Sequence, residues 1–255
     1  MKIGVCTTDL SKASFVKEIG YDFIETSLNA LEKMSEEEFK IALQTVQESG
    51  IQVESVNGFY PGNMEILNPA KIDEIRAYCE KALKRAALLG AKIAVMGSGF
   101  ARRRPDGMAE EDYKKILFQL LAIMGEEGER AGIVIVIEPL NFMETNEINF
   151  VSECVDLVRE VNSPFIKVLA DFYHMYKVGE KTEEIEKAKG LLVHIHIARA
   201  NEDRGTPNEE DKKDLKNLAC ILKKIGYQGR VSIEAAYKNF EKEIEIAYPL
   251  LEVFK

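Results

Sequence analysis

GIVIVIEPL (132–140) is the stretch that decides the fold. Ile133 to Ile137 form an unbroken β-branched run that meets Glu138 and Pro139 at its end. A strand with one wet face alternates apolar and polar residues. An unbroken run reads instead as a strand covered on both faces, the habit of parallel sheets flanked by helices.

The same texture recurs in KIGVCT (2–7), YDFIETS (21–27), IQVESVNGF (51–59), AKIAVMGSG (91–99), FIKVLADFYH (165–174), LVHIHIAR (192–199) and RVSIEAAY (230–237), making eight runs in all. Helical periodicity follows each. The first helix is short, around Lys12–Ile19. Ser35 and Glu38 have capping-box spacing. Asn68 and Pro69 suit the N-cap and first turn of a helix that buries Ile72, Ile75, Cys79, Leu83 and Ala86 and stops at Gly90. Further helices are expected over 109–130, 147–160, 178–188, 209–224 and 239–254, with Pro249 kinking or breaking the last. Strand–helix alternation implies parallel strands with right-handed crossovers. Eight units in 255 residues predict an α/β fold, a single-domain (β/α)8 TIM barrel over residues 1–255. The alternative, an open doubly wound sheet, would carry a glycine-rich turn after its first strand, where this chain has CTTDLSKAS (6–14).

Apolar residues make up 46% of the chain, ample for a large core, and the net charge is −9. An acidic chain lacks the footprint of a general nucleic-acid binder, so no nucleic-acid partner is expected. No apolar run approaches the roughly 18 residues of a membrane span, and MKIGVCTTDL (1–10) lacks the apolar core of a secretory leader. A soluble, cytoplasmic protein without a membrane partner is expected. Cys6, Cys79, Cys154 and Cys220 form no CxxC pair. The last three lie among apolar neighbours in helical patterns and are expected to be buried thiols.

In a barrel of this kind the active site lies at the C-terminal ends of the strands. Four successive runs place one potential ligand there: Glu138, Asp171, His196 and Glu234. Pleat alternation sets Glu138 with Val134 and Val136, Asp171 with Leu169, His196 with His194, and Glu234 with Ser232. If the opposite aliphatic faces meet the helices, all four polar residues face the barrel axis. Three converging carboxylates repel one another unless paired, protonated or bound to a cation. A donor set of oxygens plus one imidazole favours Mn²⁺, Mg²⁺ or Co²⁺ over a closed structural zinc site.

EPLNFMETN (138–146), ADFYHM (170–175), HIHIARAN (194–201) and SIEAA (232–236) together resemble the xylose isomerase-like barrel superfamily, and within it the ketose 3-epimerases of the D-tagatose and D-psicose (allulose) type. MGSGFARRRPDG (96–107) is similar to the loop after the fourth strand in related sugar isomerases and epimerases. The resemblance implies that Glu138, Asp171, His196 and Glu234 hold one divalent ion, Mn²⁺ foremost, with Co²⁺ or Mg²⁺ as alternatives. It makes Glu138 and Glu234 the catalytic acid/base pair and places Glu144 and His174 against the substrate. The implied reaction is C3 epimerisation of a ketose, a small carbohydrate, through an enediolate. A homo-oligomer, dimer or tetramer, is expected. The chain departs from the family pattern at Glu202, where an arginine often grips the substrate; Arg199 and Arg204 lie nearby, and Arg199 is assigned to substrate binding. Phe142 replaces an arginine after EPLN, and there is no tryptophan.

Other readings share the scaffold. An aldose–ketose or hydroxypyruvate-type isomerase would return the proton to a neighbouring carbon, and an inosose-type dehydratase would expel a hydroxyl from the same intermediate. An endonuclease IV-like nuclease needs more than the three histidines present. A non-catalytic sugar-binding barrel would have no use for the acid/base pair. Glu25, ending the second strand, is expected to reach the substrate, the alternative being an ion pair with an arginine. His194 is expected inside the barrel. Arg102, Arg103 and Arg104 read equally as a solvated loop or an anion site. Phe59, Tyr60 and Pro61 are candidates for the pocket wall.

Overall fold

Each apolar run contains one strand: β1 (Lys2–Cys6), β2 (Phe23–Ser27), β3 (Gln52–Asn57), β4 (Ile93–Met96), β5 (Val134–Ile137), β6 (Ile166–Asp171), β7 (Leu192–Ile197) and β8 (Arg230–Ile233). The computed structural model describes residues 1–201 and 203–255, so the departure noted at Glu202 lies outside the described residues. The strands close into one parallel barrel in chain order. β8 returns to β1 with Lys2 opposite Arg230 and Val5 opposite Ile233. Closure replaces the open-sheet alternative and leaves no edge strand.

Pleat parity divides the strands as expected. Ile133, Ile135, Ile137, Ile166, Val168, Ile195, Ile197, Val231 and Ile233 belong to the large core that the helices cover. Ile93, Val95, Val136 and Leu169 form a separate small cluster on the opposite face, inside the barrel. The interior also holds Glu25, Ser55, His194 and Ser232, each with no exposed surface.

The helices are α1 (Ala13–Ile19), α2 (Leu28–Lys33), α3 (Glu36–Ser49), α4 (Ile72–Leu89), α5 (Gly99–Arg102), α6 (Glu110–Ala131), α7 (Val151–Val161), α8 (Phe172–Lys177), α9 (Lys212–Ile225) and α10 (Phe240–Leu251). Ser35 and Glu38 complete the capping box of α3. Asn68 accepts from Ala70 N at the 3-10 turn leading into α4, and Gly90 ends α4 at φ 106°.

Three expectations change. The helix expected over 178–188 starts earlier, as α8, because Asp171 caps it directly by accepting from His174 N; residues Thr182–Ala188 form 3-10 turns. Pro249 does not break α10, which runs two residues beyond it before a 3-10 turn. Proline there removes one backbone bond near the helix end, while Ile244, Ala247, Leu250 and Leu251 keep the helix on the core. Cys220 is exposed, whereas Cys79 and Cys154 are buried as expected. Among the described residues no helix is long and apolar enough to cross a membrane.

Glu180, past α8, ties two βα units together by accepting from Val151 N at the start of α7, at 3.0 and 3.2 Å. Burial pushes its carboxyl up to about 7, against the pull of that backbone bond. A raised carboxyl holds a proton that the unfolded chain has released. Its contribution is full below about 4.5 and lost as pH rises through about 7. Urea midpoints of Glu180→Gln are therefore expected to fall less than wild type between pH 4.5 and 7. An identical slope would remove Glu180 as the source.

Candidate metal centre and its cavity

The four strand-end residues converge. One donor atom from each of Glu138, Asp171, His196 and Glu234 lies within 4.8 Å of the others. His196 is the hub. Its Nδ1 is 3.0 Å from Glu138 Oε1, 3.0 Å from Glu234 Oε2 and 3.9 Å from Asp171 Oδ2. Asp171 divides its oxygens: Oδ1 caps α8 through His174 N at 3.0 Å, and Oδ2 turns toward the others. Asn57 Nδ2 donates to Glu234 Oε1 at 2.7 Å, holding that side chain from β3. Gly97 leaves room for Glu138: a Cβ there would fall 2.3 Å from Oε2.

Glu25 supports the hub from below. Its Oε1 meets His196 Nε2 at 2.8 Å. Its Oε2 accepts from His194 Nε2 at 2.7 Å, Ser55 Oγ at 2.7 Å and Ser232 Oγ at 2.8 Å. Fully buried, Glu25 lies beneath the centre, partnered by two histidines and neither by substrate space nor by an arginine. Burial raises its carboxyl, but His196 and His194 hold it well below the usual range. A carboxylate on one imidazole nitrogen fixes the ring and leaves the other free to ligate.

The charge pattern tests whether these residues suit a divalent ion. Burial pushes the His196 imidazole down, but Glu25 and Glu234, with hydrogen bonds to Glu138 and Glu234, drive it well above its usual value. Arg204 places a positive charge beside the cluster, its Nη2 donating to Asp171 Oδ2 at 3.0 Å and to Glu234 Oε2 at 2.5 Å. Carboxylates converging on one imidazole draw positive charge, a demand that a divalent cation would meet. The donor set, three carboxylates and one imidazole, fits a hard to borderline ion.

A profile described as the xylose isomerase-like TIM barrel matches residues 13–254. The chain belongs to that family. Curated xylose isomerase-like relatives include a 3-dehydro-D-guloside 4-epimerase of Escherichia coli (strain K12), 26% identical over 233 residues that cover 88% of this chain and 86% of the relative. A D-psicose 3-epimerase of Agrobacterium fabrum is 25% identical over 234 residues, covering 88% and 78%. Among solved structures, a D-allulose 3-epimerase from Methylomonas sp. in complex with D-allulose superposes with a TM-score of 0.83 at 18% identity, covering 100% of this chain and 97% of that one. That likeness speaks for the fold. With its relatives named as epimerases and isomerases, this member of the family is an isomerase or epimerase enzyme.

The other expected site residues fall into two groups. His174 and Glu144 come together. His174 Nδ1 accepts from Asn141 N at 3.2 Å and Asn141 Nδ2 at 2.9 Å, so the ring proton resides on Nε2. That Nε2 is buried without a hydrogen-bond partner among the described residues, 3.9 Å from Asp171 Oδ2. Asn141 Nδ2 also donates to Glu144 Oε1 at 3.1 Å. Arg199 goes elsewhere, paired with Glu210 and, at 3.3 Å, with Asp211.

Arg102 is neither solvated nor an anion site. Fully buried, it donates to the carbonyls of Gly97, Glu138 and Glu147, each at 2.7 Å, and so clamps the loops after β4 and β5. Phe59 and Tyr60 pack inward, Tyr60 against Cys79, instead of lining a pocket. A cavity of about 360 Å³ opens beside Glu234, walled by Cys6, Thr7, Asp9, Lys12, Ser27 and Asn57 among others. The parity test, applied to β2 and β3, would have found Glu25 beneath the site and Asn57 beside it. Arg204 lies in a loop, where no periodicity points to it.

Glu25→Gln is expected to lower Mn²⁺ affinity by about 10–100-fold by calorimetry, since it loosens the histidine. Unaltered affinity would dismiss Glu25 as a support. Gly97→Ala meets only the flexible end of Glu138, so the urea midpoint should hold while Mn²⁺ affinity falls by roughly tenfold or more, because ligand positions tolerate only about 0.5 Å.

Proposed function

We propose that this enzyme inverts a carbinol carbon next to the carbonyl of a neutral ketose, C3 of a 2-ketose, with a divalent metal held by Glu138, Asp171, His196 and Glu234. The observation that carries this reading is the pair Glu138 and Glu234, which reach His196 Nδ1 from the ends of β5 and β8, each at 3.0 Å. Two carboxyl groups that face one point from different strands can serve a substrate carbon as acid and base from opposite sides.

The ion, when bound, polarises adjacent carbonyl and hydroxyl oxygens and acidifies the carbon-bound hydrogen between them. Ionised Glu234 takes that proton, and the electron pair moves into the carbonyl to form the enediolate. Protonated Glu138 delivers a proton to the other face of the same carbon, which inverts it. The unpartnered Nε2–H of His174 is available to a substrate oxygen. Names of the relatives support the shared chemistry: C3 of psicose and C4 of a 3-dehydro-guloside both adjoin a ketone carbon.

The cavity supports a neutral substrate. Thr7, Thr8, Thr26, Ser27 and Asn57 suit hydroxyl groups, and the lysine on its wall, Lys12, is paired with Glu241. Among the described residues of that wall a phosphate would meet no unpaired lysine or arginine, and it would lie beside the carboxylate of Glu234.

The test is incubation of the Mn²⁺-loaded protein with ketoses in D₂O, followed by NMR. Deuterium at the inverted carbon is expected, with no turnover of 6-phosphates. Deuterium at C1 with an aldose product would replace epimerisation by isomerisation. Glu234→Gln should lower turnover by about 10²–10⁴-fold, and unchanged activity would sink the base assignment.

A further inference from the structure

Seven large apolar side chains are exposed among the described residues. Ile41, Leu88 and Ile246 stand singly on the outer helices α3, α4 and α10, where lone apolar residues are ordinary. The other four gather at the mouth of the barrel. Phe100 follows β4, Phe142 and Met143 follow β5, and Tyr176 lies on α8 after β6. They are 70%, 54%, 79% and 53% exposed. At roughly 200 Å² for each side chain, these fractions leave about 500 Å² of apolar surface.

Three contacts join them into one platform. Gly99 lies against the backbone of the β5 loop, where a Cβ would fall 2.8 Å from Glu144 O. The Phe142 and Phe150 rings meet edge to face, their centroids 5.9 Å apart. Glu180, whose N–H donates to Met175 O on α8 at 2.8 Å, accepts from Val151 N beside Phe150. The platform is also stiff. Buried Arg102 clamps carbonyls on both loops. Ile148 keeps φ 59°, a left-handed backbone that a β-branched residue adopts only when its surroundings impose it. A rigid apolar face loses little freedom when it is covered.

We propose that this platform is the contact face of a homodimer, covered by the same platform of a second copy of the chain. The area argues for it. A standard interface takes about 800 Å² from each partner, a little over half of it apolar, and the four side chains supply that apolar share. A two-fold contact also needs a face that matches itself. Arg103 and Asp106, both exposed just beyond Phe100, offer opposite charges that a two-fold axis can pair across the contact. A lipid surface suits the platform less, because the chain carries a net charge of −9 and anionic headgroups attract basic faces. Pairing here leaves the cavity beside Glu234 open, since its wall comes from β1 to β3 and the segment after β8, across the mouth from β4 to β6. The proposal needs nothing from the metal centre.

Sedimentation velocity of the full chain at micromolar concentrations should show a species of twice 28.8 kDa. Phe142→Asp combined with Met143→Asp is expected to raise the dimer Kd by about thirtyfold or more. The milder pair Phe100→Ser with Tyr176→Ser should also weaken the dimer, and it decides the matter if the aspartate pair does not fold. Leu88→Asp and Ile246→Asp, on the outer helices, should leave the dimer intact. A monomeric wild type overturns the proposal, and so does a dimer that survives both mouth variants or is broken by either outer one. Cosedimentation of a monomeric wild type with phosphatidylserine vesicles, lost in the aspartate pair, would replace the second copy by a lipid surface.

Discussion

The hydrogen bond between Glu25 and His196 sets the geometry of everything above it. One imidazole spans the boundary between the barrel interior and its mouth, Nε2 on Glu25 below and Nδ1 among three carboxylates above. A buried carboxylate is costly unless its lone pairs are met. Here they are met from three other strands: Ser55 from β3, His194 from β7 and Ser232 from β8. Only a closed barrel brings those strands around one side chain of β2. The polar pillar therefore explains why this interior is not uniformly aliphatic. Apolar filling is provided by the cluster Ile93, Val95, Val136 and Leu169 and by Phe23, whose ring lies 6.4 Å from that of His194.

Much of this was legible in the sequence, for a physical reason. Strand ends and pleat parity are local and periodic, so the unbroken run 133–137 and its terminal Glu138 announce both a buried strand and its inward carboxylate. The same reasoning placed Asp171, His196 and Glu234 beside it. What escaped lay where periodicity stops. Arg102 read equally as part of a solvated loop or of an anion site, yet it fills a fully buried position among three carbonyls. Arg199 was the loop arginine assigned to substrate, with Arg204 only noted nearby; loop closure sends Arg199 to Glu210 and Asp211 and Arg204 into the centre.

Cap chemistry accounts for the remaining differences. Asp171 ends β6 and starts α8 in a single residue, spending one oxygen on the helix. Its position as a candidate ligand was legible, but the immediate helix was not, because the sequence carries no separate turn between the two elements. The cap also limits rotation of the carboxylate. A side chain already bonded at one oxygen presents the other in a defined direction, which suits a ligand.

The candidate metal ligands all come from β5 to β8, whereas Thr7, Asp9, Lys12, Ser27 and Asn57 on the cavity wall come from β1 to β3 and the segments that follow them. The candidate ligands thus come from the later half of the chain, while the earlier half supplies most of the cavity wall, completed by Ala235, Tyr237 and Phe240. Such a partition lets natural or laboratory evolution vary the first sixty or so residues, short of Glu25 and Asn57, without disturbing the ligands themselves. New preferences could be explored while the underlying chemistry is inherited intact.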